Sequence, residues 1–191
     1  MDRWSVETPL KRKYQDRRSK KHGKVVRCPN CRLNMRRIKL RFGYAPQHFG
    51  LFADSGDELP VGRQHRVNEL LELFGKKFPQ SIFSVYLMEL PAGTTPNEYA
   101  FWLANRARLN NAAAIDQNNF DLVLVLDVDG GAALTAGYGL ENYLTEEDLS
   151  AVLETGREAW TARDWAGGIE RCIAEMTDCL RLASQRAEAA S

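Results

Sequence analysis

Several common features are absent from this 191-residue chain, and each absence narrows the reading. No apolar run approaches the roughly 18 residues a membrane-spanning helix needs, so no transmembrane segment is expected. The basic start, MDRWSVETPLKRKYQDRRSKK, leads into no apolar stretch of signal-peptide length. On that ground the chain reads as soluble and cytoplasmic. Cysteine is sparse: of 4 in all, Cys28 and Cys31 sit together near the start, and Cys172 and Cys179 lie in a helical pattern near the end. That distribution does not suggest a disulfide framework and favours reduced thiols, with Cys172 and Cys179 packing in the core. There are 3 histidines, His22, His48 and His65, and none sits beside a nucleophile in the later half of the chain. With no Gly-x-Ser-x-Gly either, a catalytic set for acyl transfer is missing. A phosphate-cradling P-loop is absent too, and GYGLEN lacks the third glycine of a dinucleotide fingerprint.

What is present divides by charge. The net charge of +1 conceals a head, residues 1–45, with 15 Lys/Arg against 3 Asp/Glu, and a body with 11 against 22. A +12 head therefore precedes a −11 body. The head could contact nucleic-acid phosphates or an anionic membrane surface, dock on an acidic body, or remain a solvated tail. Tyr14, Phe42 and Tyr44 offer stacking surfaces. Residues 1–24 are too charged to fold alone, whereas Ile38, Leu40 and Phe42 alternate with basic residues as in a short strand. Within the head, CPNC has the spacing of a zinc knuckle, half of a zinc ribbon. Cys28 and Cys31 would supply two of four Zn²⁺ ligands; His22 and His48, or Cys28 and Cys31 of a second chain, could supply the rest. The alternative is two free thiols in a remnant.

At 44% hydrophobic, the chain can build one ordinary core, and the elements of the body follow from their periods. GYAPQHFGLFADSGDELPVG reads as a linker or long loop. Val67, Leu70, Leu71 and Phe74 predict an amphipathic helix over 63–77, and IFSVYLMEL a strand over 82–90. In TPNEYAFWLANRARL, Thr95 caps, Pro96 takes the first helical position and Glu98 closes a capping box, predicting a helix to about residue 109. LVLVLDV, apolar on both faces, predicts an interior strand parallel to the first. Asp129-Gly130-Gly131 then turns a hairpin into AALTA. Thr145 with Asp148 starts a helix to about Trp160, and a last helix from Asp164 carries Trp165, Ile169, Cys172, Ile173, Met176 and Leu180 on one stripe. The expected fold is α/β, a small mixed sheet flanked by helices as an α/β/α sandwich over 50–183. The basic extension over 1–45 precedes it, and a tail over 184–191 follows.

One stretch, DLVLVLDVDGGAALTAGYGLENYLTEED, raises a sharper question: its glycines and aspartates could be plain turns or a site at the strand ends. Gly137 and Gly139 bracket a tyrosine where a positive φ or a close approach would exclude a side chain. Asp54, Asp127, Asp129 and Glu141 all fall at strand ends or loops and could converge on one sheet edge, where open α/β sheets bind ligands.

This stretch, with REAWTARDWAGGIERCI near the end and FADSGDELP upstream, resembles the TPM domain, a widespread bacterial and chloroplast module. The motif residues matched are Gly137, Gly139, Leu140, Glu141, Leu144, Thr145, Trp165, Gly168 and Ile169, with Asp54 as the aspartate before the first helix. The likeness covers about 130 residues. It implies a soluble bacterial protein whose acidic pocket holds Ca²⁺ or Mg²⁺, with Asp54, Asp129 and Glu141 as first candidates and Asp127 next. Weak acid phosphatase activity in a plant member adds a metal-dependent phosphatase as an alternative to a non-catalytic binding or assembly module. Two departures stand out. Gly130 and Gly131 replace a basic residue common in the family, removing a phosphate contact. The apparent lack of an export signal also contrasts with many exported or membrane-tethered relatives.

Overall fold

A computed structural model of the chain describes residues 4–7, 42, 48–106, 108–109 and 120–189. Its strands are β1 (Trp4–Glu7), β2 (His48–Phe49), β3 (Phe52–Asp54), β4 (Phe83–Met88), β5 (Arg108–Leu109), β6 (Leu122–Asp127) and β7 (Ala132–Ala136). The helices are α1 (Val61–Lys77), α2 (Pro96–Arg106), α3 (Glu146–Thr161) and α4 (Trp165–Ala189). A five-stranded mixed sheet runs in the order β1-β7-β6-β4-β3, and β2 pairs with β5 apart from it.

The expected α/β architecture is the one observed, and its centre is the predicted strand pair. β4 and β6 run parallel from Phe83↔Leu122 to Met88↔Asp127, and every residue of β6 from Leu122 to Leu126 is buried. That explains the absence of a polar face in LVLVL, since both sides of an interior strand are covered. β6 then reverses into β7 with Leu126↔Ala132 and Leu122↔Ala136. On one side of the sheet α1, α3 and α4 cover Val85, Leu87, Leu124, Leu126 and Leu134. On the other, α2 covers Tyr86, Val123, Val125 and Ala133 with Tyr99, Trp102 and Leu103.

Local chemistry sets the ends. Thr95 Oγ1 accepts the Glu98 N–H at 3.2 Å and Glu98 returns a carboxylate to the Thr95 N–H at 3.3 Å, the predicted capping box. Thr145 and Asp148 close a second one at α3. The stripe from Trp165 to Leu180 faces inward as expected, with Ile169, Cys172 and Met176 fully enclosed.

Five details depart from the sequence reading. Phe52–Asp54, within the expected linker, forms an edge strand on β4. Trp4–Glu7, within the segment expected to lack structure, pairs in parallel with β7. Phe42 is helical rather than extended, its ring 5.2 Å from that of Trp102. Finally, α2 stops at Arg106 because Arg108–Leu109 turns to pair with His48–Phe49, while α4 continues through residues 184–189 of the expected tail.

Candidate functional site

The acidic residues separate by strand direction and by pleat. Asp54 ends β3 in register with Leu87, and Leu87 in turn with Leu126, so Asp54 points into the layer of α1, α3 and α4. Its carboxylate closes the turn into α1: Oδ1 accepts the Glu58 N–H at 3.1 Å and Oδ2 the Leu59 N–H at 2.8 Å. Asp127 ends β6 one position later, opposite Met88, on the α2 side. Its Oδ1 accepts the N–H groups of Leu90 at 3.4 Å and Asp129 at 3.3 Å. Asp54 and Asp127 thus share one end of the sheet but opposite faces. Asp129 is exposed at the tip of the hairpin, whose turn needs glycine at Gly130 (φ 104°) and Gly131 (φ 128°).

Glu141 lies at the other end. β7 runs antiparallel to β6, so the residues after β7 sit beside the start of β6, and the Gly137 N–H donates to the Asp121 carbonyl at 2.8 Å. The 5 residues of β7 separate Glu141 from the hairpin by roughly 17 Å. Among the described residues, no group of three or more His, Cys, Asp or Glu side chains is placed to hold a metal ion. Cys28, Cys31 and His22 lie outside the described residues; His48 is in β2, paired with Arg108. Cys172 is a core thiol whose Sγ donates to the Val152 carbonyl at 3.1 Å, and burial pushes its pKa up to about 12.

The motif glycines organise packing. Gly137 has φ −70°, ordinary extended backbone, so its place does not depend on left-handed geometry. Gly139 meets the close-approach expectation: a Cβ there would fall 2.6 Å from the Phe120 ring. Leu140 is buried behind it. Gly168 and Gly156 make room for the Trp160 indole, whose Nε1 donates to the Trp165 carbonyl at 3.3 Å.

Sequence reasoning missed a buried polar set on the α2 side. Ser84 and Thr135 are both register partners of Val123, and Asp121 lies two residues earlier on the same face. Asp121 is 3% exposed; its Oδ1 accepts the Ile82 N–H at 3.2 Å, and burial raises its pKa to about 6. Among the described residues, Asp121 Oδ2, Ser84 Oγ and Thr135 Oγ1 have no hydrogen-bond partner. The available signal was a lone polar residue inside two apolar strands, Ser84 in β4 and Thr135 in β7, with Asp121 just ahead of β6 and of matching parity. Across the sheet, at the same end, a cavity of about 380 Å³ opens between the last turn of α1 and the C-terminal part of α4, walled by Lys77, Phe78, Ser81, Phe120, Tyr143 and Leu180.

With this geometry in place, the comparisons assign the family. The model of the TPM domain matches residues 53–179, so the chain belongs to the TPM domain family. Solved structures agree at the level of fold. The N-terminal domain of the cg2496 protein from Corynebacterium glutamicum is 13% identical with a TM-score of 0.54, covering 68% of this chain and 78% of that one. The BA42 protein from the psychrophilic bacterium Bizionia argentinensis is 9% identical with a TM-score of 0.56, over 68% and 86%. The N-terminal domain of a protein from P. gingivalis is 20% identical with a TM-score of 0.51, over 68% and 81%. No curated protein matches the chain.

Proposed function

We propose that the chain is a non-catalytic binding and assembly module, with a weak site for Ca²⁺ or Mg²⁺ at the Asp127–Asp129 hairpin. The observation that supports this is the division of the carboxylates between two faces and two ends of the sheet. Ca²⁺ takes six to eight oxygens at about 2.3–2.6 Å and Mg²⁺ six at about 2.0–2.1 Å, and Asp54, Asp127, Asp129 and Glu141 do not fit one such ion together. An ion at the hairpin would be held mainly through water, attracted by the charge of Asp127 and Asp129. The turn residues Gly130 and Gly131 offer no side chain to a phosphoryl group. The +12 head carries the assembly half of the reading, as the part suited to an anionic polymer or surface.

Titration with Ca²⁺ should shift the backbone amides of Asp127, Asp129 and Gly130, with a Kd on the order of 1 mM or weaker. Hydrolysis of p-nitrophenyl phosphate with either cation should equal the protein-free rate. Turnover above that rate, abolished by Asp129→Asn or Asp54→Asn, would replace this reading with the phosphatase. Elemental analysis of purified protein decides zinc at Cys28, Cys31, His22 and His48. A salt-sensitive gel shift that disappears with residues 1–45 decides nucleic acid.

A further inference from the structure

We propose that the cavity between α1 and α4 binds a small carboxylate with an apolar body, an acyl or aryl acid. This site lies at the opposite end of the sheet from the Asp127–Asp129 hairpin, so its success or failure is independent of the cation reading. Its volume, about 380 Å³, falls within the range of small-ligand clefts. The walls supply the two halves of such a ligand's recognition. Phe78, Phe120 and Leu180 present apolar surface, and the Phe120 ring holds its place because Gly139 carries no side chain to displace it.

Lys77 supplies the charge. Among the described residues it is the one charged group on the cavity wall, and among the described ion pairs it has no carboxylate partner. Its Nζ rests 5.8 Å from the centre of the Phe78 ring, at the junction of cationic rim and apolar wall. A carboxylate beside Nζ would leave its hydrocarbon against Phe78 and Phe120, while Ser81 and Tyr143 provide polar groups nearby. A cationic amphiphile would instead meet an uncompensated lysine, and a neutral one would gain nothing from it.

The test uses the full chain with decanoate, decanol and decyltrimethylammonium, each below its micelle concentration, read by amide chemical shifts. Decanoate should shift Lys77, Phe120, Tyr143 and Leu180, more tightly than either other probe. Lys77→Gln should weaken decanoate about fivefold. Ser184→Trp, on an exposed position of the cavity wall, should remove the shifts without altering the fold. Equal or tighter binding of decanol or the ammonium, shifts that survive Ser184→Trp, or no shift at these four amides would overturn the proposal.

Discussion

The two ends of the sheet solve opposite problems. At the hairpin end, charge is plentiful and close to water: Asp54 and Asp127 accept backbone N–H groups, and Asp129 is exposed at the turn. At the other end, one carboxylate is enclosed with an oxygen that has no partner among the described residues, and the surface is shaped by rings and glycines. Counting carboxylates therefore points to the wrong end for energetics. Asp121, the one buried carboxylate among the described residues, outweighs the exposed acids, because desolvation scales with burial and not with number.

Substitutions sharpen this contrast, beginning with the largest effect. Asp121→Asn should stabilise the protein at neutral pH by up to about 3 kcal/mol, the value of a two-unit pKa displacement in a group with almost no exposure, less the cost of burying the amide N–H groups where Oδ2 has no partner among the described residues. The sign follows from linkage: a carboxyl raised from 3.8 to about 6 on folding leaves the native protein with more bound protons than the unfolded chain. Wild-type stability should thus fall as pH rises from about 4 to about 6 and then level off, and the variant should lack that slope. Urea denaturation across this range measures both, and a variant less stable than wild type at pH 7.5 would defeat the idea.

Next comes Gly139→Val, which drives carbon into the Phe120 ring and should cost about 2 kcal/mol. A loss near zero would mean the ring moves freely. Asp54→Ala removes the acceptor of two N–H groups ahead of α1 and should cost about 1 kcal/mol, visible as a lower Tm, with Asp54→Asn recovering part of it. Smallest is Asp129→Asn, within about 0.5 kcal/mol either way, since this residue is exposed at the turn. A large loss there would show that the hairpin acid does structural work comparable to Asp54.

Much of the fold was legible because periodicity and caps are local. The Thr95–Glu98 and Thr145–Asp148 boxes and the apolar strand LVLVL are each contained in a short window. The edge strands were not. β3 is three residues among Gly, Asp and Pro, and β1 is four residues in a basic head; both are fixed by distant partners. The site was partly legible and misassembled. The predicted β6–β7 reversal already requires Glu141 to lie beside the start of β6, away from Asp127, and strand alternation already puts residues 123 and 127 on one face. What sequence could not supply was the identity of the strand beside each acid, which decides the face that Asp54 takes. The orphaned hydroxyls of Ser84 and Thr135 needed the inter-strand register as well.

One consequence concerns the outer rim of β7. The segment Ala132–Ala136 is uncharged and without proline, and β1 is what lies along its far side. A chain shortened past Glu7 would hand the sheet's open edge from β1 to β7, and that uncharged row of amides and carbonyls would become the template offered to another molecule's strand.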